Sequence, residues 1–212
     1  MKFESITMEN FMRYKGRNHI EFSCDDVKNV TVVLGDNTVG KTTIAQAFRW
    51  GLYGALMANG TKSAGDFQLL NTDILEMMDA NSRAKVKVEI AAVDEEKRYI
   101  ITRETTYTRA FPKLESREFQ KKCAMRITEL EDMESYVEVD SNEIETLINE
   151  LFPKNLSHYF LFDGERWNDV SVGGVRENIK ESVHILTGLS AYREAKNHLK
   201  DMGSNSVIKK FR

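Results

Sequence analysis

Cysteine and histidine are scarce in this chain. Cys24 and Cys123 are the only cysteines, far apart and without CxxC spacing, and the four histidines form no ligand cluster. Neither a disulfide nor a structural zinc site is expected. No apolar run is long enough to cross a bilayer, and the opening residues MKFESITMENFMRY lack the apolar core of a signal peptide, so a cytoplasmic protein with no membrane partner is expected. Charge of one sign is also missing: 30 Lys and Arg stand against 33 Asp and Glu, a net charge of −3. Without a global basic field, any nucleic-acid contact has to come from a local patch. There is no internal repeat and no low-complexity segment. What is present is 212 residues, 41% hydrophobic and 30% charged, enough for one substantial core and a smaller second one.

The most informative stretch is residues 29–53, NVTVVLGDNTVGKTTIAQAFRWGLY. A β-branched run at residues 30–34 predicts a strand, a glycine-bounded loop follows, and Ile44, Ala47, Phe48 and Leu52 then recur at helical spacing. Gly35-Asp36-Asn37-Thr38-Val39-Gly40-Lys41-Thr42 satisfies G-x-x-x-x-G-K-[ST] between that strand and that helix, which makes the match specific. In such a loop, successive backbone N–H groups and the positive end of the helix dipole converge on phosphate oxygens. Lys41 is expected to reach the β- and γ-phosphates, and the Thr42 hydroxyl to take one place around Mg²⁺, which prefers hard oxygen ligands. Thr43 is a spare hydroxyl beside it. The expected ligands are therefore ATP and Mg²⁺.

On either side of this stretch the patterning is mostly antiparallel. Residues 3–8 and 19–22 read as a hairpin joined by a turn at residues 10–16, whose Arg13 is either a nucleotide contact or a solvated turn arginine. Gly51 and Gly54 weaken the end of the helix, a loop is expected at residues 58–65, and a short helix within 66–78. Strict alternation at residues 85–90 and 98–103 around a charged turn predicts a solvent-facing hairpin, with further strands at 124–130 and 136–139. Arg103, Arg109, Lys113, Arg117, Lys121, Lys122 and Arg126 are interleaved with Tyr107, Phe111 and Phe119. Such a strip can track a phosphate backbone, although Glu104, Glu115 and Glu118 dilute it and favour an ordinary solvated β-surface. Ser141 reads as the N-cap of a helix ended by Pro153. Residues 159–162 form an apolar strand whose tip carries Asp163 and Glu165, carboxylates suited to a metal-bound phosphate or merely part of an Asp-Gly turn. Residues 176–186 and 190–202 read as helices broken near Gly188.

A complete doubly wound NTPase would continue with β-α units, whereas antiparallel patterning follows here. The hairpin ending in Asn10-Phe11-Met12-Arg13-Tyr14, the loop from Gly35 to Thr43, Leu52-Tyr53-Gly54 and Phe162-Asp163-Gly164-Glu165 together resemble the N-terminal half of an SMC-family ATPase head. The resemblance is nearest to the double-strand-break-repair and SbcC-like branch, and within it to the DndD-type ATPases of DNA phosphorothioation and related anti-phage systems. It implies an α/β P-loop fold of the ABC type, a head lobe with a mixed sheet, an antiparallel β-subdomain and C-terminal helices. Residues 1–187 would form the lobe and 188–212 a helical segment opening a coiled coil or linker. The resemblance gives Arg13 a nucleotide contact. It also places Asp163 where the family carries the Q-loop glutamine that completes the Mg²⁺ shell, with Thr38 where the family mostly has glycine. Catalytic roles thus fall to Lys41 and Asp163, nucleotide contacts to Arg13 and Gly35 through Thr43, and metal contacts to Thr42 and Asp163.

The family's signature Ser-Gly-Gly motif and its Asp-Glu Walker B strand find no convincing match, since Ser171-Val172-Gly173-Gly174 lies just after the Q-loop position. ATP hydrolysis is therefore expected only with a C-terminal lobe, in the same or a separate chain, and a second head in an ATP-dependent homodimer. DNA and a nuclease or modification complex are the further partners the resemblance implies. Two other readings remain. One is a self-contained P-loop NTPase with Asp163 as Walker B and Glu165 activating water; the other is a module that binds DNA or protein and holds ATP without hydrolysing it.

Overall fold

A computed structural model describes residues 1–36, 39–56, 68–94, 96–110, 115–154, 157 and 161. The chain divides into two compact units, Met1–Phe162 and Asp163–Arg212, and the described residues belong to the first. The expected helices at 176–186 and 190–202, and the strand tip at Asp163, lie outside the described residues.

Among the described residues, six antiparallel strands make one sheet in the order β2-β1-β3-β4-β5-β6. They are β1 (Lys2–Phe11), β2 (Tyr14–Glu21), β3 (Arg83–Asp94), β4 (Lys97–Ala110), β5 (Glu115–Glu129) and β6 (Val137–Glu138). Among the described residues three helices accompany it: α1 (Lys41–Tyr53), α2 (Thr72–Met77) and α3 (Ile144–Leu151). The hairpins expected at the N-terminus and around residue 95 are both present, but their strands run longer than the alternation alone marked. The first turn is shorter than expected, because Phe11 already pairs with Tyr14. Ser141 is not the cap of α3: the helix begins at Ile144, after a turn in which Asp140 accepts from the amides of Asn142 and Glu143.

Period-two alternation sorts the sheet into two unlike faces. Ile6 and Met8 of β1, Val86, Val88 and Ile90 of β3, Ile101 of β4 and Met125 of β5 lie on the inner face and are fully buried or nearly so. On the outer face, the register aligns Arg17, Glu9, Lys87, Glu104 and Lys122 across five strands with alternating sign. Cross-strand opposition of this kind contributes roughly 0.2–1 kcal/mol per pair and holds that face in water. An ion pair between Lys87 and Glu89 along β3 and a diagonal one between Lys85 and Glu104 of β4 add further links.

Helix α1 lies on the inner face and buries Ala47, Phe48, Trp50 and Leu52, with Ile44 partly covered. Phe48 meets Phe3 and Phe22, and Trp50 meets Phe11, so the helix is fixed to the first hairpin by tilted aromatic contacts. Gly51, which the sequence suggests as a weak point, is where the helix packs tightly on the sheet. A Cβ there would lie 2.7 Å from Ile90 Cδ1 and 3.0 Å from Val88 Cγ1. Gly51→Ala would gain about 1 kcal/mol of helix propensity and lose roughly 1–3 kcal/mol to overpacking. A net loss of about 1 kcal/mol is expected, read as a lowered denaturant midpoint with an unchanged slope; a raised midpoint would refute the close-packing role.

Residues 30–34 depart from expectation. They pair with no strand among the described residues, and Val30, Val32, Val33 and Leu34 are 75%, 70%, 43% and 87% exposed. A β-branched run has strand propensity, but a strand exists only through ladder partners, and the six-stranded sheet offers this segment none.

Candidate nucleotide-binding site

Gly40 sets the geometry of the phosphate loop. It stands at the N-cap of α1 with φ +111, a conformation natural to glycine, and caps the helix with no side chain. The first helical bond is Ile44 N–H to Gly40 O at 3.3 Å, so the amides of Lys41, Thr42 and Thr43 lie in the turn that has no intrahelical acceptors. No acidic residue sits in that first turn. An uncapped, acid-free start to a helix of 13 residues leaves both the N–H groups and the dipole available to an anion.

Lys41 is exposed and its Nζ donates to Gly35 O at 2.7 Å and Asp36 O at 2.5 Å. The ammonium thus bridges the beginning of the loop and the beginning of the helix. Thr42 is exposed beside it, whereas Thr43 is 7% exposed and faces inward, away from the role of a spare ligand. Val39 is exposed, and Gly35 closes tightly on it: a Cβ on Gly35 would lie 2.8 Å from Val39 Cγ2. Asn37 and Thr38 lie outside the described residues, as does Asp163.

A polyphosphate fits this donor set: one ammonium, one exposed hydroxyl and unpaired first-turn amides, with no carboxylate among them. For Mg²⁺ the described residues supply one oxygen, from Thr42, and no cluster of three His, Cys, Asp or Glu side chains occurs among them.

Arg13 is exposed at the tip of the β1–β2 hairpin, with no hydrogen bond or ion pair among the described residues. Its neighbour Tyr14 is the residue that sequence reasoning passed over. The Tyr14 hydroxyl donates to Gly40 O at 3.3 Å, and a Cβ on Gly40 would lie 3.5 Å from the tyrosine ring. Burial against the loop pushes the Tyr14 phenol above its ordinary pKa, so it remains a donor through the neutral range. The sequence signal was its place beside Arg13 at the end of the Asn10-Phe11-Met12-Arg13-Tyr14 string.

The other end of α1 is held by Arg103 of β4. Its Nε donates to Gly51 O at 3.1 Å and its Nη2 to Leu52 O at 3.1 Å and to Glu145 of α3 at 2.8 Å. Arg103 therefore belongs to the inner face, which breaks up the basic strip read from sequence. Arg109 donates to Met78 O and Glu76 O at the end of α2, Lys121 pairs with Glu118, and Tyr107 is buried with its hydroxyl on Glu118. Arg117 and Lys122 face outward, while Arg126 lies 5.3 Å from the ring of Tyr136. Lys113 and Phe111 lie outside the described residues. Among the described residues no helix is long and apolar enough to cross a membrane.

No curated protein sequence matches the chain. Among solved structures, one chain from work on the structural biochemistry of ATP-driven dimerization and DNA stimulated activation of SMC ATPases is similar at 14% identity and a TM-score of 0.46. The similarity covers 84% of this chain and 96% of that one. The AAA domain family matches residues 5–208, which takes in the phosphate loop and the antiparallel sheet except for the first residues of β1. The chain belongs to the AAA domain family of P-loop ATPases.

Proposed function

We propose that this chain is the ATP-binding N-terminal lobe of an SMC-like ATPase that couples ATP binding and hydrolysis to DNA processing. The observation that carries the reading is the start of α1 at Gly40, which has no side-chain cap, with Lys41 and Thr42 exposed at it. Lys41 and the first-turn amides would hold the β- and γ-phosphates, Thr42 would ligate Mg²⁺, and Asp163 would take the Q-loop place in its shell. Bound Mg²⁺ supplies charge neutralisation for the phosphoryl group in transfer. Arg13 and Tyr14 would close the nucleotide side of the site, with Asp36, Asn37, Thr38, Val39 and Thr43 shaping the loop backbone.

The exposed run at residues 30–34 supports a site divided among several pieces. Its valines and leucine would acquire ladder partners in a C-terminal lobe that also brings the Walker B carboxylates. A second head would then close over the γ-phosphate. Residues 1–187 form the lobe in this reading, and 188–212 begin a coiled coil or linker. DNA repair and anti-phage DNA modification, in the SbcC-like or DndD-type branch, are the pathways that the FDGE tip favours, in the cytoplasm and together with a nuclease or modification complex. DNA would lie against a basic surface assembled from both lobes.

Hydrolysis needs oriented water and stabilisation of charge in a loose phosphoryl transition state, and those two effects carry most of the catalysis in this class. The 212-residue chain alone should therefore bind ATP without turning it over, and adding the C-terminal lobe should restore hydrolysis and ATP-dependent head dimerisation. A radiolabelled-ATP assay with Lys41→Ala as contamination control decides the matter. Robust turnover by the chain alone, lost in Lys41→Ala, would instead assign Asp163 and Glu165 to a self-contained Walker B site.

A further inference from the structure

The tip of the β1–β2 hairpin is held in an unfavourable shape. Asn10 and Met12 both have positive φ, 52 and 50, although neither is glycine, and a bulky residue such as Met12 rarely adopts that region. Hairpins have relaxed turns to choose from, so a strained one persists only where its surroundings over-determine it. Here they do. Met12 N–H donates to Leu69 O at 2.6 Å, and Met12 O accepts from Asn71 Nδ2 at 2.7 Å. Asn10 O accepts from Asn71 N–H at 2.9 Å. The Asn10 side chain donates to Lys85 O at 3.0 Å and accepts from Gly16 N–H at 3.0 Å.

Asn71 is the residue common to both strained positions. It is 6% exposed, and its Oδ1 accepts from Ile74 N–H at 3.3 Å, capping α2. Helix α2 has six residues, too few to be stable alone, and Arg109 of β4 holds its other end through Met78 O at 2.6 Å. A strut therefore runs from the sheet through Arg109, α2 and Asn71 to the turn that carries Arg13 and Tyr14. Tyr14 in turn rests on Gly40 of the phosphate loop.

We propose that Asn71 is a positioning residue of the nucleotide site, fixing the strained Asn10–Met12 turn so that Tyr14 stays packed on Gly40 and Arg13 is presented beside the loop. The proposal rests on the reading of the Gly35–Thr42 loop as an ATP site. It requires that Asn71 act on ATP through Tyr14 and Arg13, not through the stability of α2.

The test is Mg²⁺-ATP binding by calorimetry on the full chain. Asn71→Ser keeps a hydroxyl able to cap α2 but deletes the donor to Met12 O. It should weaken binding about 10-fold while the melting temperature is little changed. In an Arg13→Ala, Tyr14→Ala background the same substitution should change affinity less than about 2-fold, because its route to the ligand is gone. Asn10→Gly, which tolerates the positive φ but loses both side-chain bonds, should reproduce the result and serves if Asn71→Ser does not fold. Full-strength ATP binding by folded Asn71→Ser, or an equal loss in both backgrounds, overturns the proposal. Lys41→Ala separates the two failures: if it leaves binding intact, the ATP-site reading fails, and if it abolishes binding while Asn71→Ser does not weaken it, only the positioning role fails.

Discussion

Lys41→Ala is expected to weaken ATP binding on the order of 100-fold or more, about 2.7 kcal/mol, with little effect on the stability of the fold. Two observations separate those outcomes. The Lys41 side chain is exposed and its ammonium touches only carbonyls of its own loop, Gly35 O and Asp36 O, so no core packing is lost with it. Exposed substitutions of that kind usually move stability by less than about 0.5 kcal/mol. Against a polyphosphate, however, Lys41 is the one cation inside the loop, and the first-turn amides supply dipoles but no net charge. Calorimetry with Mg²⁺-ATP measures the affinity and thermal melting the stability. Unchanged affinity would remove the phosphate loop from the site.

Arg103→Ala should destabilise the chain by about 3 kcal/mol, more than any other single side chain discussed above. The guanidinium is 14% exposed and satisfies two carbonyls, Gly51 O and Leu52 O, at the negative end of α1, where a cation is also favoured by the dipole. Bonds from a charged donor contribute roughly 1.5–3 kcal/mol each, and their loss strands acceptors where water enters poorly. The ion pair to Glu145 matters less: that carboxylate is 61% exposed, and solvent-screened pairs contribute about 0–1 kcal/mol. Glu145→Gln should accordingly cost under about 1 kcal/mol. Arg103→Lys should recover only part of the loss, since one ammonium does not reproduce the planar fork that reaches both carbonyls and α3. Denaturant unfolding of the three variants decides the ranking. A Glu145→Gln loss as large as that of Arg103→Ala would place the energy in the ion pair and not in the helix terminus.

Both predictions concern opposite ends of one helix, and that explains the importance of α1. Its first turn is the proposed phosphate site, Gly51 lets its last turns settle onto Val88 and Ile90, and Arg103 fixes its last carbonyls to the sheet. An error of position at the far end would be carried along the 13 residues of the helix to its first-turn amides. The hairpin tip approaches the same loop from the other side through Tyr14.

Local chemistry was sufficient for several elements. The spacing of Ala47, Phe48 and Leu52 marks α1, and alternation at residues 85–90 and 98–103 marks β3 and β4, because side-chain periods of 3.6 and 2 are properties of the backbone itself. The G-x-x-x-x-G-K-T string likewise encodes its own geometry, since Gly40 can adopt φ +111 and Lys41 and Thr42 follow in the first helical turn. Tertiary structure decided what depended on partners distant in the chain. Residues 30–34 have the composition of a strand, yet pairing defines a strand and the sheet provides none. The basic residues from Arg103 to Arg126 look like one strip in sequence, but register sends Arg103 to the inner face and Lys122 to the outer one. Gly51 reads as a weakness until Ile90 is placed against it. Asn71 carries no motif, and its bond to Met12 spans 59 positions, so only the folded chain gives it a part in presenting Tyr14 to the loop.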